Sequence, residues 1–230
     1  MIDAWSKADI EHETAEKAEL LLNRMEELFL HRRSSNPREV LSNIAYNLVI
    51  DAWSRRPGND AADRAESILR RLVKNYELTK NRFLRPDVIS YTAVMKACVN
   101  HPNGGEKAVQ ILEEMKAQYK DGNVRAKPDV KALSVAMDAC AKNGLTEEAE
   151  LMLNDIDDSQ KSNIQFNTIM SGYKSEGRGD KAEALLRRMI SLERSGFHRC
   201  SPDRISYTLC IEAVRNYLCM NCLYMYDTSF

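Results

Sequence analysis

The sequence predicts an all-α fold, an α-solenoid of stacked antiparallel helical hairpins, and three observations predict it. A phrase recurs: Pro86-Asp87-Val88-Ile89-Ser90-Tyr91-Thr92 returns as Pro202-Asp203-Arg204-Ile205-Ser206-Tyr207-Thr208, with looser copies at 44–47, 130–134 and 164–167. Measured at the last residue of each copy, the steps are 45, 42, 33 and 41 residues, a spacing that marks a repeat array. Each phrase is followed by two apolar sets at i, i+4, i+7, and that interval is one face of an α-helix.

The first set belongs to the helix that the phrase opens. Its members are Tyr46, Ile50, Trp53; Tyr91, Met95, Cys98; Leu133, Met137, Cys140; Phe166, Met170, Tyr173; and Tyr207, Ile211, Val214. A small residue stands before the third level each time (Ala4, Ala52, Ala97, Ala139, Gly172, Ala213), which suggests the close passage of a neighbouring helix, although packing against any partner would also account for it. Polar breaks follow at 56–60, 100–105, 142–144 and 176–179, with the Gly and Pro that helix ends require. The second helix then carries Ala18, Leu22, Met25; Ala65, Leu69, Leu72; Ala108, Leu112, Met115; Ala149, Leu153, Ile156; and Ala182, Leu186, Met189. Length varies in the polar, basic-rich runs 77–85, 120–127 and 191–201, so the hairpins keep their geometry while connections absorb insertions.

The predicted organisation is a partial repeat at 1–42, repeats at 43–87, 88–129, 130–162 and 163–203, a partial repeat at 204–216, and an atypical tail at 217–230. Residues 1–6 read Met-Ile-Asp-Ala-Trp-Ser and residues 49–54 read Val-Ile-Asp-Ala-Trp-Ser, so the chain opens inside a repeat, as a fragment of an array does. The tail is rich in Cys, Met and Tyr where a second helix is due, the composition expected of a frame error or of intron read-through.

Composition narrows the function classes. A formal charge of -1 neither advertises a nucleic-acid partner nor excludes one, because charge can be segregated onto one face. No stretch approaches the roughly 18–20 apolar residues of a membrane span, so no membrane insertion is expected. The six cysteines follow no secreted disulfide spacing, which favours a reducing compartment. Cys219 and Cys222 form a lone Cys-x2-Cys without the other two ligands of a structural zinc site. The histidines are scattered, and neither paired catalytic carboxylates nor a phosphate-binding glycine motif is present. No metal, cofactor or enzymatic activity is implied.

Phased Tyr46-Asn47, Tyr91-Thr92, Phe166-Asn167 and Tyr207-Thr208, with Pro86-Asp87, Pro128-Asp129 and Pro202-Asp203 at the boundaries and Ala-x3-Leu-x2-Met in the second helix, resemble the pentatricopeptide repeat (PPR) family. The resemblance spans about residues 1–216, in an extended-repeat variant. The tetratricopeptide repeat, a peptide-binding helical hairpin, is the rival; its Trp-x2-Leu-Gly-x2-Tyr opening is absent here.

The resemblance implies single-stranded RNA binding at one base per repeat, in organellar RNA processing, stability, editing or translation. RNA-processing proteins are then further partners, and the location is a mitochondrion or plastid. A protein-interaction scaffold of tetratricopeptide type is the alternative; an RNA-processing enzyme whose catalytic domain lies outside the chain is a third.

By the same resemblance, the residue after the Tyr position and the last residue of the repeat read the base edge together. These are Asn47 with Asp87, Thr92 with Asp129, Ser134 with Ser162, Asn167 with Asp203, and Thr208, whose partner is not located. Asn with Asp implies U, Thr with Asp implies G, and Ser with Ser leans to a purine, giving U-G-(A or G)-U-(purine). Short hydroxyls and amides can donate or accept at a base edge, with the carboxylate orienting them. Helix N-capping is the other reading of such residues. Ile44, Ile89, Ile164 and Ile205 stand three residues before a reader, where the family sandwiches the base; a core role is the alternative. Lys131, Leu133 and Ser162 depart from the pattern, so repeat 130–162 is expected to discriminate poorly. Lys7, Arg55 and Lys142 share one repeat position at the end of the first helix, as phosphate contacts or as solvated charges matched to the helix dipole.

Overall fold

The computed structural model describes the backbone of residues 2–31, 41–56 and 58–227, and side chains within 14–29, 41–56 and 58–217. Ten α-helices are described: α1 (Ile2–His31), α2 (Asn43–Arg55), α3 (Asp60–Thr79), α4 (Val88–Cys98), α5 (Gly104–Lys120), α6 (Val130–Lys142), α7 (Thr146–Asn154), α8 (Asn163–Ser175), α9 (Gly179–Arg194) and α10 (Arg204–Asp227). The chain divides into two compact units, 1–135 and 136–230, and the division falls inside α6. In the first unit α2 packs on α1, α3 and α4, and α4 packs on α3 and α5. In the second, α8 packs on α7 and α9, and α10 packs on α8 and α9. Each unit is therefore a stack of helical hairpins, the all-α repeat architecture that the periodicity predicts. None of the described helices is long and apolar enough to cross a membrane.

The cores are built from the two periodic sets. Tyr46, Ile50, Trp53, Tyr91, Met95 and Cys98 are buried from the first helices of the first unit; Phe166, Met170 and Tyr173 are buried in the second. Ala65, Leu69, Leu72, Ala108, Leu112 and Met115 meet them from the second helices. Each large apolar side chain so buried stabilises by roughly 1.5–3 kcal/mol. Burial pushes the thiols of Cys98 and Cys140 up to about 12, so both stay protonated as apolar filling. In α9, Leu185 is buried while the expected Leu186 is only half-buried.

Two of the small residues, Gly172 and Ala213, lie at close crossings. A side chain at Gly179 would meet the Val214 Cα at 2.7 Å and the Ala213 carbonyl oxygen at 3.0 Å, so α10 crosses the start of α9 backbone to backbone. One at Gly172 would run into the Thr146 hydroxyl at the start of α7. The breaks that separate the helices of a hairpin turn on Gly58, Gly144 and Gly177, all at positive φ, where a β-carbon is penalised.

Three features differ from the sequence expectation. α1 runs unbroken for 30 residues, because 8–13 lack the Gly or Pro that ends the first helix elsewhere. α10 likewise continues to Asp227 with no break before the expected second helix. Consequently Tyr207 (48% exposed) and Ile211 (68% exposed) are not core residues: the second helix that covers this face in other repeats does not follow α10 among the described residues. The long connections are also more than spacers. Each contains a 3₁₀ turn, Arg82–Leu84, Val124–Ala126 or His198–Cys200, which sinks Leu84, Ala126 or Cys200 fully into the interior. These lie three residues before each Pro-Asp aspartate, a regularity visible in the sequence but masked by its polar surroundings.

Candidate nucleic-acid interface

Each expected reader is the fifth residue of its helix: Asn47 on α2, Thr92 on α4, Ser134 on α6, Asn167 on α8 and Thr208 on α10. They are therefore not caps. Capping falls to the residue that closes the preceding repeat. The Asp87 carboxylate accepts the Ser90 N–H at 3.0 Å, Asp203 accepts that of Ser206 at 2.8 Å, and Asp129 accepts that of Ala132 at 2.7 Å. Ser162 caps α8, and Gln165 Oε1 accepts its N–H at 2.7 Å.

Hairpin stacking brings the closing aspartate onto the reader of its own repeat. Asn47 Nδ2 donates to Asp87 Oδ1 at 3.1 Å, and Asn167 Nδ2 donates to Asp203 Oδ1 at 3.2 Å. The second carboxylate oxygen accepts from Asn43 Nδ2 at 2.8 Å in one case and from Asn163 Nδ2 at 3.0 Å in the other. A serine hydroxyl closes each ring: Ser90 Oγ donates to Asn47 Oδ1 at 2.6 Å, and Ser206 Oγ to Asn167 Oδ1 at 2.7 Å. Ser90 and Ser206 are fully buried, and Asn43 is nearly so. The Ser206 N–H, with help from the Asn167 amide, holds the Asp203 carboxyl below the usual carboxylate range.

The threonine repeat is built differently. Thr92 Oγ1 donates to the Val88 carbonyl at 2.7 Å, which leaves its lone pairs as acceptors. Ser134 Oγ donates to the Val130 carbonyl at 2.7 Å and Thr208 Oγ1 to that of Arg204 at 2.8 Å, the same one-turn back-bond. Ser134 lies in the first unit and Ser162 in the second.

The four isoleucines are not core. Ile44, Ile89, Ile164 and Ile205 are each the second residue of their helix and are 58–70% exposed, although a β-branched aliphatic side chain is ordinarily interior. Two grooves contain three of them, Ile89, Ile164 and Ile205. One, of about 280 Å³ in the first unit, is lined by Ile89, Thr92, Asp129 and Lys131, with Asp51 and Lys96 alongside. The other, of about 470 Å³ in the second unit, is lined by Ile164, Asn167, Asp203 and Ile205, with Asp138 and Lys142 alongside. Two of the isoleucines line the second groove; in the first, one isoleucine is joined by Lys131.

The candidate phosphate contacts are exposed and already paired. Arg55 meets Asp51 at 2.5 Å and Lys142 meets Asp138 at 3.1 Å; the Lys7 side chain lies outside the described residues. Sequence reasoning missed those two acids, and it missed Asn43, Ser90, Asn163 and Ser206. The last four had a signal: only the two Asn readers have Asn four residues before them and Ser three residues after their closing Asp.

Residues 76–143 match the family described as Pentatricopeptide repeat domain, and residues 132–160 and 166–193 each match that described as PPR repeat. The chain is a pentatricopeptide repeat protein. Members of this family typically bind RNA. A comparison with curated proteins returned no match.

Proposed function

We propose that this pentatricopeptide repeat protein binds single-stranded RNA sequence-selectively, one base per repeat, and acts without catalysis of its own in organellar RNA processing, stability, editing or translation. The observation that carries this reading is the groove lined by the exposed Ile164 and Ile205 together with the bonded pair Asn167 and Asp203. A planar base fits between two aliphatic walls with its Watson–Crick edge on the amide, which still has one free N–H and one free lone pair. Exposed aliphatic side chains repeated at one position of four helices serve no packing purpose within the array.

The readers give U at Asn47, G at Thr92, a purine at Ser134, U at Asn167 and a purine at Thr208. Acids beside the two paired cations keep the electrostatic component small, so base contacts carry much of the selectivity. The test is titration of the chain with U-G-A-U-G RNA and with a scrambled sequence across a salt series. The expected result is at least a tenfold preference for the first RNA, on the order of one good base contact, with a shallow salt dependence. Asn47→Thr should move the first preference from U towards G. Equal binding of both RNAs, or none, defeats the reading and leaves a protein-interaction scaffold.

A further inference from the structure

Two four-residue networks in this chain are near copies of each other, although they lie in different units. One comprises Asn43, Asn47, Asp87 and Ser90; the other comprises Asn163, Asn167, Asp203 and Ser206. The bond from the first asparagine to the aspartate is 2.8 Å in one and 3.0 Å in the other. That from reader to aspartate is 3.1 and 3.2 Å, and that from serine to reader is 2.6 and 2.7 Å.

The serine could be read as a cap residue and nothing more. Its bond lengths argue otherwise. In both networks the hydroxyl is closer to the reader's Oδ1, at 2.6 and 2.7 Å, than to the aspartate's Oδ1, at 3.0 Å in each. A hydroxyl has one proton, and the shorter bond takes it. The reader's nitrogen is thereby marked by a carboxylate that can only accept, and its oxygen by the serine proton, a bond that a turned amide loses unless the hydroxyl reverses as well. The first asparagine occupies the other carboxylate oxygen and keeps the carboxylate from swinging away.

An asparagine amide that turns by 180° exchanges donor for acceptor. Uracil and cytosine differ by that same exchange at N3 and at the substituent on C4. An unrestrained reader could therefore follow either pyrimidine, whereas a restrained one could not. We propose that Ser90 with Asn43, and Ser206 with Asn163, are specificity-determining residues that fix the reader amide and so separate U from C. The proposal rests on the RNA-reading function above. Its internal control is the Thr92 repeat, where Val88 and Ala132 occupy the corresponding positions and a hydroxyl reader has no amide to orient.

The chain itself supplies tolerated replacements. The variant Ser90→Ala/Ser206→Ala copies Ala132, and Asn43→Val/Asn163→Val copies Val88. Affinities are measured for U-G-A-U-G, for C-G-A-C-G, and for U-A-A-U-G as the control at the Thr92 position. The expected result is that the U-over-C preference falls about fivefold per altered repeat, the size of one hydrogen bond, while G-over-A preference at Thr92 stays unchanged. A merely structural role would instead weaken all RNAs by a common factor and leave the ratios intact, and that result overturns the proposal. Wild-type protein that binds cognate and scrambled RNA alike overturns the RNA reading, and the specificity role with it. A second measurement needs no RNA: exchange of the Asn47 and Asn167 side-chain amide protons with solvent deuterium. The proton of each amide that the carboxylate holds is expected to exchange slowly in wild type and faster in Ser90→Ala/Ser206→Ala, and equal exchange rates in the two proteins also overturn the proposal.

Discussion

The asparagine repeats and the threonine repeat place the same aspartate in the same cap position, yet they connect it differently. Asp87 receives the next helix's N–H and two asparagine amides, so it joins its own repeat to the following one. Asp129 accepts the Ala132 N–H, while the Thr92 hydroxyl turns back to its own helix. The walls differ as well: Ile164 and Ile205 face one groove, Ile89 and Lys131 the other. A single sequence pattern thus supports a candidate reader bonded on both amide atoms in one place and a simple hydroxyl in another.

The largest test of that difference is thermodynamic. Asp129→Ala should cost about 1 kcal/mol, the usual value of an N-cap. Asp87→Ala should cost about 2–3 kcal/mol, since two asparagine amides lose a partner as well. Urea unfolding of both variants measures the gap, and equal midpoints would mean that the asparagine bonds contribute nothing to stability.

The walls come next. Ile164→Ala should leave stability within about 0.5 kcal/mol of wild type, as surface substitutions do, while RNA affinity falls by roughly 1 kcal/mol for the lost base contact. Lys131→Ile should do the reverse at the threonine site, tightening RNA binding a fewfold. Loss of stability in Ile164→Ala without loss of affinity would return these isoleucines to a packing role.

Acid gives the smallest and most local effect. The Asp203 pKa is depressed, first by the Ser206 N–H bond, from an ordinary value near 3.9. A depressed carboxyl stabilises the fold above its unfolded pKa and loses that contribution as pH falls through the folded one. Below about pH 4, wild type should therefore lose stability more steeply than Asp203→Asn, which has no carboxyl to protonate. Parallel acid curves would contradict the assignment.

Much of this interface was legible one residue at a time. The phase of the repeats, with the family resemblance, located the five candidate readers and the four isoleucines, because position along a helix depends only on local periodicity. Whether those isoleucines were core or surface could not be read, since both roles call for an aliphatic residue at the start of a helix. The supporting asparagines and serines escaped because each looks like an ordinary polar residue in a first helical turn. Their roles emerge only when residues 36 to 44 positions apart come into hydrogen-bond range.

The sequence by itself determined the helices, their pairing into hairpins and the interior face of each, because apolar spacing is a local property of the chain. Tertiary structure decided which apolar positions stayed exposed. It also decided that a cap residue and a candidate reader become one bonded pair. The reason is physical: side chains from successive hairpins meet only after stacking has fixed the distance between them, and no local pattern encodes that distance.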